Sequence, residues 1–219
     1  MTTDATEFLD YESPVVRAFV GKALRDDGAA MTDMERARAL YYAVRDGIHY
    51  EIQGADVSRA GLRASSIITH NMGFCVHKSI VYAAALRSVG IPCRLFYGDV
   101  RNHITTGPLE KLIGGEVFSY HGLTSGYLEG KWVKVTPVFN KLLCKLYRIT
   151  PLEFDGRSDS MYHPYDEEGR RHMEFVRTHG DFDDVPYEKL ITGIRANHPL
   201  LFASWDRLAN GALAAGIRR

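Results

Sequence analysis

The residue in this chain best placed to do chemistry is Cys75. It lies in Asn71-Met72-Gly73-Phe74-Cys75, directly ahead of an apolar stretch, 76–89, that reads as a helix. A thiol at a helix N-terminus meets unpaired N–H groups and the positive dipole end, which favour a thiolate. A thiolate attacks carbonyls. Gly73 reads as a tight turn into that helix. A cysteine nucleophile needs a base, and the base needs an orienting group. His121 is the candidate base, on a predicted strand that continues into a hairpin carrying Trp132 and Val133. Thr136 and Asn140 follow the hairpin's second strand, and either could turn the His121 ring with a side-chain oxygen. The alternative for Cys75 is a small core residue at a helix start.

The elements that must position these groups are legible in outline. Ser13-Pro14 opens a helix through about Arg25, with Ser13 as N-cap and Asp26-Asp27-Gly28 as its stop. Thr32-Asp33-Met34-Glu35 is a capping box for a second helix through about Asp46. Residues 48–52 alternate like a strand, and 56–70 read as loop with a short helix. The helix after Cys75 stops at Gly90 and Pro92. Strands are predicted at 93–100, with Leu95, Tyr97 and Asp99 on one face, and at 117–124. Residues 127–135 read as a hairpin turning at Glu129-Gly130. Beyond residue 140 loops mix with helical stretches near 186–196 and 199–209. The charged run 166–171 reads as a solvated face. Helices first and an antiparallel meander afterwards make an α+β architecture.

Two motifs in order resemble the transglutaminase-like superfamily. One is Gly73-Phe74-Cys75 with Ala83-Ala84-Ala85-Leu86-Arg87-Ser88-Val89-Gly90-Ile91-Pro92-Cys93-Arg94. The other is Tyr120-His121-Gly122 with Leu128-Glu129-Gly130-Lys131-Trp132-Val133-Lys134-Val135-Thr136-Pro137. The resemblance covers about 36–140. It implies a papain-like, transglutaminase-core fold, α+β, with N-terminal helices packed on an antiparallel sheet. It also implies Cys75 as nucleophile and His121 as base. The family's catalytic Asp falls on Thr136, which cannot carry a charge, so Asn140 is the alternative. Gly122-Leu123 stands where the family has an aromatic. His77, two residues past Cys75, is read as a solvent-side residue or as a group that tunes the thiol. The Cys75 N–H would be one oxyanion donor, with Tyr50 or Asn71 as sources of a second.

The remaining chemistry is narrowed by what the sequence lacks. The 219 residues suit one domain, here a core of about 36–140 and a C-terminal extension of 141–219. Lys+Arg and Asp+Glu are both 27, so net charge gives no argument for nucleic acid or an anionic membrane as partner. His49, His70 and His103 have no metal-ligand spacing, and no phosphate-binding glycine motif occurs, so neither metal nor cofactor is expected. Cys93 and Cys144 read as core residues, and three sparse cysteines suit a reducing, cytoplasmic compartment. The Asp99–His103 stretch reads as loop or substrate wall. The segments 152–157 and 163–166 read as a lid or as a structural wrap of Phe154 and Tyr165 on the sheet. The expectation is a Cys-His acyl-transfer enzyme acting on a peptide, protein or small amide, by hydrolysis or transfer to an amine. Acetyl transfer from a thioester and a binding or scaffold module that has lost turnover are the alternatives.

Overall fold

The computed structural model describes residues 2–25, 28, 30–102, 108–161 and 173–206. The expected stop at Asp26-Asp27, the residues His103 and Tyr165, the charged run 166–171 and the end of the last helix lie outside the described residues. The elements run α1 Pro14–Leu24, α2 Asp33–Gly47, β1 His49–Tyr50, α3 Ala64–His70, β2 Met72–Gly73, α4 Cys75–Ser88 and β3 Cys93–Asn102. Then follow α5 Pro108–Ile113, β4 Val117–Leu128, β5 Lys131–Val135, α6 Lys141–Tyr147, β6 Met173–Phe182 and α7 Tyr187–Asn197. Residues 199–206 are helical. The fold is α+β.

The centre of the molecule is α4, in which residues 75–87 are all buried. Such a helix needs cover on every side. The sheet, in the order β5-β4-β3-β6 and antiparallel throughout, covers one flank, and α1, α2 and α3 pack on the others. Polar side chains on α4 survive burial by bonding backbone carbonyls. Lys78 Nζ donates to Arg45 O (2.8 Å) and Ile48 O (3.0 Å), closing the C-terminal end of α2. Tyr82 donates to Ala37 O (3.1 Å). Arg87 draws three distant segments together, through Asp4 O (2.8 Å), Cys93 O (2.9 Å) and Asp183 O (2.6 Å).

The helix starts follow their caps unevenly. Thr32 and Glu35 form the expected reciprocal box. Ser13 precedes α1, but its side chain makes no capping bond there, and Pro14 alone sets the first turn. The strand expected at 48–52 shrinks to His49–Tyr50, paired in parallel with Met72–Gly73. That short ribbon carries the chain to the start of α4. The hairpin turns at Glu129 and Gly130, both with positive φ (47° and 84°), as a tight two-residue turn requires.

After β5 the chain returns as a strap whose Ser160 pairs in parallel with Val135 at the sheet edge. Thr136 N–H donates to Ser160 O (2.9 Å), and Ser160 N–H donates to Lys134 O (2.8 Å). The start of this strap is held to α2 rather than to the sheet. Tyr41 Oη and Arg45 Nη1 both donate to Leu152 O (2.9 Å each), and Phe154 packs on the Tyr41 ring at 5.3 Å. The structural wrap expected of Phe154 is thus present, but against a helix. Its partners are polar groups on α2 that the apolar pattern does not reveal.

Arg87 should be among the costliest side chains to remove. Arg87→Met keeps most of the volume and strands three carbonyls. Stability should fall on the order of 3 kcal/mol. A urea-unfolding midpoint within experimental error of wild type would contradict this role.

Candidate active site

Cys75 is the first residue of α4, and two neighbours fix its position. Phe74 is wedged between Trp205 (stacked, 5.6 Å) and Phe118 (6.1 Å), and Trp205 is itself tied by its indole N–H to Ile52 O at 2.7 Å. Gly73 has no room for a side chain, because a Cβ there would lie 2.4 Å from the Cβ of His77. Its φ is not in the left-handed region, so the need for glycine is close approach rather than an unusual turn.

The N-terminal end of α4 rests on β4 at Gly122. A Cβ on Gly122 would fall 3.0 Å from Val76 Cα and 3.3 Å from Cys75 O. The residue next to His121 is therefore small because the helix backbone occupies the space where a side chain would go. The backbone N–H groups of Gly122, Val76 and Cys75 itself lie around the thiol and favour its anion. One residue earlier in β4, His121 leaves the strand on the opposite face, beside Phe175 (6.2 Å).

His121 opens into a small pocket, with room for about one water, lined by Thr136, Val138, Phe139, Leu152, Met161 and Met173. His121 Nε2 is buried with no hydrogen-bond partner among the described residues. Thr136 is brought to the same pocket. Its hydroxyl donates to Gly122 O at 3.3 Å, so it holds the strand backbone beside the imidazole. Asn140 is elsewhere engaged: it is the N-cap of α6, and its side-chain oxygen accepts from Leu143 N–H at 2.8 Å. Tyr50 lies in β1 with its ring against Phe139 (5.0 Å), one shell out from the pocket. Asn71 is the exposed, left-handed C-cap of α3 (φ 53°).

The electrostatics differ from the sequence expectation. Burial pushes the Cys75 thiol up to about 12, against the pull of the three N–H groups. It pushes His121 down to about 4, and no charged neighbour opposes it. A thiol at a helix N-terminus was expected to be a thiolate. Here desolvation outweighs the dipole, because the helix end is not open to water. Cys75 and His121 are both neutral at pH 7.

His77 is not on the solvent side. It is buried, one ring nitrogen donates to Asp56 O at 3.0 Å, its ring lies 4.8 Å from Phe74, and burial pushes it down to about 4. It anchors the loop before α3 to the Cys75 helix. Cys93 and Cys144 are free and buried. Among the described residues no cluster of three or more His, Cys, Asp or Glu could hold a metal ion. Among these residues no helix is long and apolar enough to cross a membrane.

The sequence model of the Transglutaminase-like superfamily matches residues 22–137, more than half of the chain. Among solved structures, the chain is similar to that of a proposed cysteine protease from Cytophaga hutchinsonii. Identity is 14%, the TM-score is 0.44, and the match covers 83% of this chain and 55% of that one. The chain thus spans about half the length of that protein. No curated protein matches it.

Three buried histidines, His77, His121 and His198, have lowered pKa values and make stability depend on pH. Below the ordinary value of 6.5 the unfolded chain binds protons at His77 and His121 that the folded chain rejects down to about 4. Stability should therefore fall as pH drops through that window and level off below it. Between pH 6.5 and 5 the unfolding free energy should carry a slope of about two protons from His77 and His121, to which His198 adds. In His121→Phe the slope should fall by about one proton. An unchanged slope in the variant would show that His121 is accessible to protons in the folded state.

Proposed function

The chain belongs to the transglutaminase-like superfamily, and on that footing we propose that it is a cysteine-dependent acyl-transfer enzyme that hydrolyses an amide or peptide bond through Cys75 and His121. The reading is carried by one observation. Cys75 opens α4 on the backbone of Gly122, the strand residue next to His121, and the His121 Nε2 is buried with no hydrogen-bond partner among the described residues. Such a nitrogen is a base without a partner.

Because both groups are neutral, the reaction is general-base catalysis rather than attack by a standing ion pair. Substrate enters, the His121 side chain turns from its own face of β4 toward the thiol, Cys75 Sγ attacks the carbonyl carbon, and His121 Nε2 takes the thiol proton as the C–S bond forms. The N–H groups at the start of α4 stabilise the oxyanion. The imidazolium then protonates the leaving amine and the C–N bond breaks. Water, activated by the same nitrogen, releases the acid, and an amine in its place would give transfer. Thr136 steadies the strand beneath His121 and supplies no charge. The imidazolium is thus less stabilised than with a carboxylate there, and a modest turnover follows. Peptides, proteins or small amides are the substrates we propose, in the reducing environment of the cytoplasm, where three free cysteines persist.

A second reading, a binding or scaffold module, is favoured by the burial of both groups and by the uncharged Thr136. The two separate on a simple reagent. Incubation with p-nitrophenyl acetate should leave an acetyl thioester on Cys75, seen by mass spectrometry, and none in Cys75→Ala. His121→Ala should slow its formation by about 100-fold or more. A wild type that never acquires the thioester supports the module.

Thr136→Asp tests the electrostatic argument directly. A carboxylate in that pocket should raise the His121 pKa by about 1 unit or more and speed acylation. The ring titration followed by NMR would contradict the placement of Thr136 if it did not move. Thr136→Ala should lower the acylation rate, and Asn140→Ala should lower stability by about 1 kcal/mol through loss of the α6 cap without changing that rate.

A further inference from the structure

The sheet is irregular at one level on three adjacent strands, and that level is the one that carries His121. Between β3 and β4 the register pairs Gly98 with His121 and Val100 with Phe118. Two residues of β4, Ser119 and Tyr120, therefore stand opposite the single residue Asp99, which is a β-bulge. Tyr120 has a positive φ of 60°, a strained conformation for a bulky residue. Between β3 and β6 the register slips at the same level. Tyr97 pairs with Gly180 and Gly98 with Thr178, leaving His179 as the extra residue.

One atom bridges both irregularities. Asp99 Oδ1 accepts from Tyr120 N–H at 3.0 Å and lies 2.7 Å from His179 Nε2. The Tyr120 ring stacks on the His179 ring, 3.9 Å apart and 3° from parallel. On the other side Tyr120 lies on Gly193 of α7, where a Cβ would fall 2.1 Å from the ring. Asp99 is buried, so the carboxylate is held there rather than free in water. A one-residue slip in a strand moves every later side chain to the other face. The bulge decides that His121 faces the pocket and Gly122 faces α4.

We propose that Asp99 is a positioning residue for His121: its carboxylate holds the Tyr120 bulge, and with it the direction in which His121 leaves β4. The inference rests on the reading of His121 as the base. His179 and Gly193 belong to the part of the chain beyond the family match, so β6 and α7 complete the clamp.

The test compares Asp99→Asn, which keeps an acceptor for Tyr120 N–H and removes the charge, with Asp99→Ala, which removes both. Two readouts are taken: the His121 ring resonances and their titration by NMR, and acetylation of Cys75 by p-nitrophenyl acetate. Asp99→Ala should shift the His121 titration and lower the maximal acetylation rate by at least about tenfold, with little change in the half-saturating concentration. Asp99→Asn should restore both to near wild type. An Asp99→Ala protein with the wild-type titration and rate would overturn the proposal. So would an Asp99→Asn protein as impaired as Asp99→Ala, since charge and not the held bulge would then be at work. If Asp99→Ala does not fold, His179→Phe keeps a ring on Tyr120 and removes the Nε2 contact. It should shift the His121 resonances, and unchanged resonances would overturn the proposal. A wild type that forms no thioester refutes the enzyme reading, while the His121 resonances still report on the bulge.

Discussion

The complete burial of α4 is the constraint on which the rest of the structure depends. A helix enclosed on every side can carry polar residues only where backbone carbonyls wait for them. Lys78, Tyr82 and Arg87 each end on such carbonyls. Those bonds reach α2, the start of β3, the N-terminal segment and the loop before α7, so the helix organises most of the chain through its polar side chains as well as its apolar ones. The same enclosure governs the chemistry. A helix N-terminus stabilises a thiolate best when the thiol is also partly solvated. Here Phe74, packed under Trp205 and Phe118, and Gly122, pressed on the helix backbone, close off the water. The thiol stays protonated.

Thr136 completes that logic. A carboxylate facing a buried imidazole favours its charged form, and burial alone disfavours it. Thr136 gives His121 a neutral neighbour bound to the strand backbone, so only burial acts on the ring. Neutral thiol and neutral imidazole are the consistent outcome of one residue type and one enclosed helix.

Much of this was legible in the chain. The capping box at Thr32, the long apolar helix after Cys75, the stop at Gly90 and Pro92 and the Glu129-Gly130 hairpin are local signals, and each appears where local chemistry puts it. What was not legible depends on partners distant in sequence. His77 looks like a surface residue until the Asp56 carbonyl arrives beside it. Asn140 has the right atoms to orient a histidine, but a helix of seven residues begins after it and takes its oxygen. The strand β6 has exposed positions at 176–178 and an interior glycine with φ 107°, so it lacks clean alternation and emerges only by pairing with β3. The stretch from Asp99 read as loop or wall, yet β3 continues to Asn102, with an irregular register shared with the strands on both sides.

The division of labour along the chain follows from these contacts. The segment that matches the family supplies Cys75, His121, Thr136 and Asp99. The pocket around His121 is walled by Val138, Phe139, Leu152, Met161 and Met173, all beyond residue 137. Those walls are apolar, and two of them are methionines, whose unbranched side chains can repack around different shapes. The strap carrying Leu152 is fixed to α2 by Tyr41 and Arg45, so the wall on that side is rigid at its base. The candidate residues Cys75 and His121 and most of the walls of the pocket beside His121 thus come from different parts of the sequence. The second can change without disturbing the first as long as α2 keeps its hold on the strap.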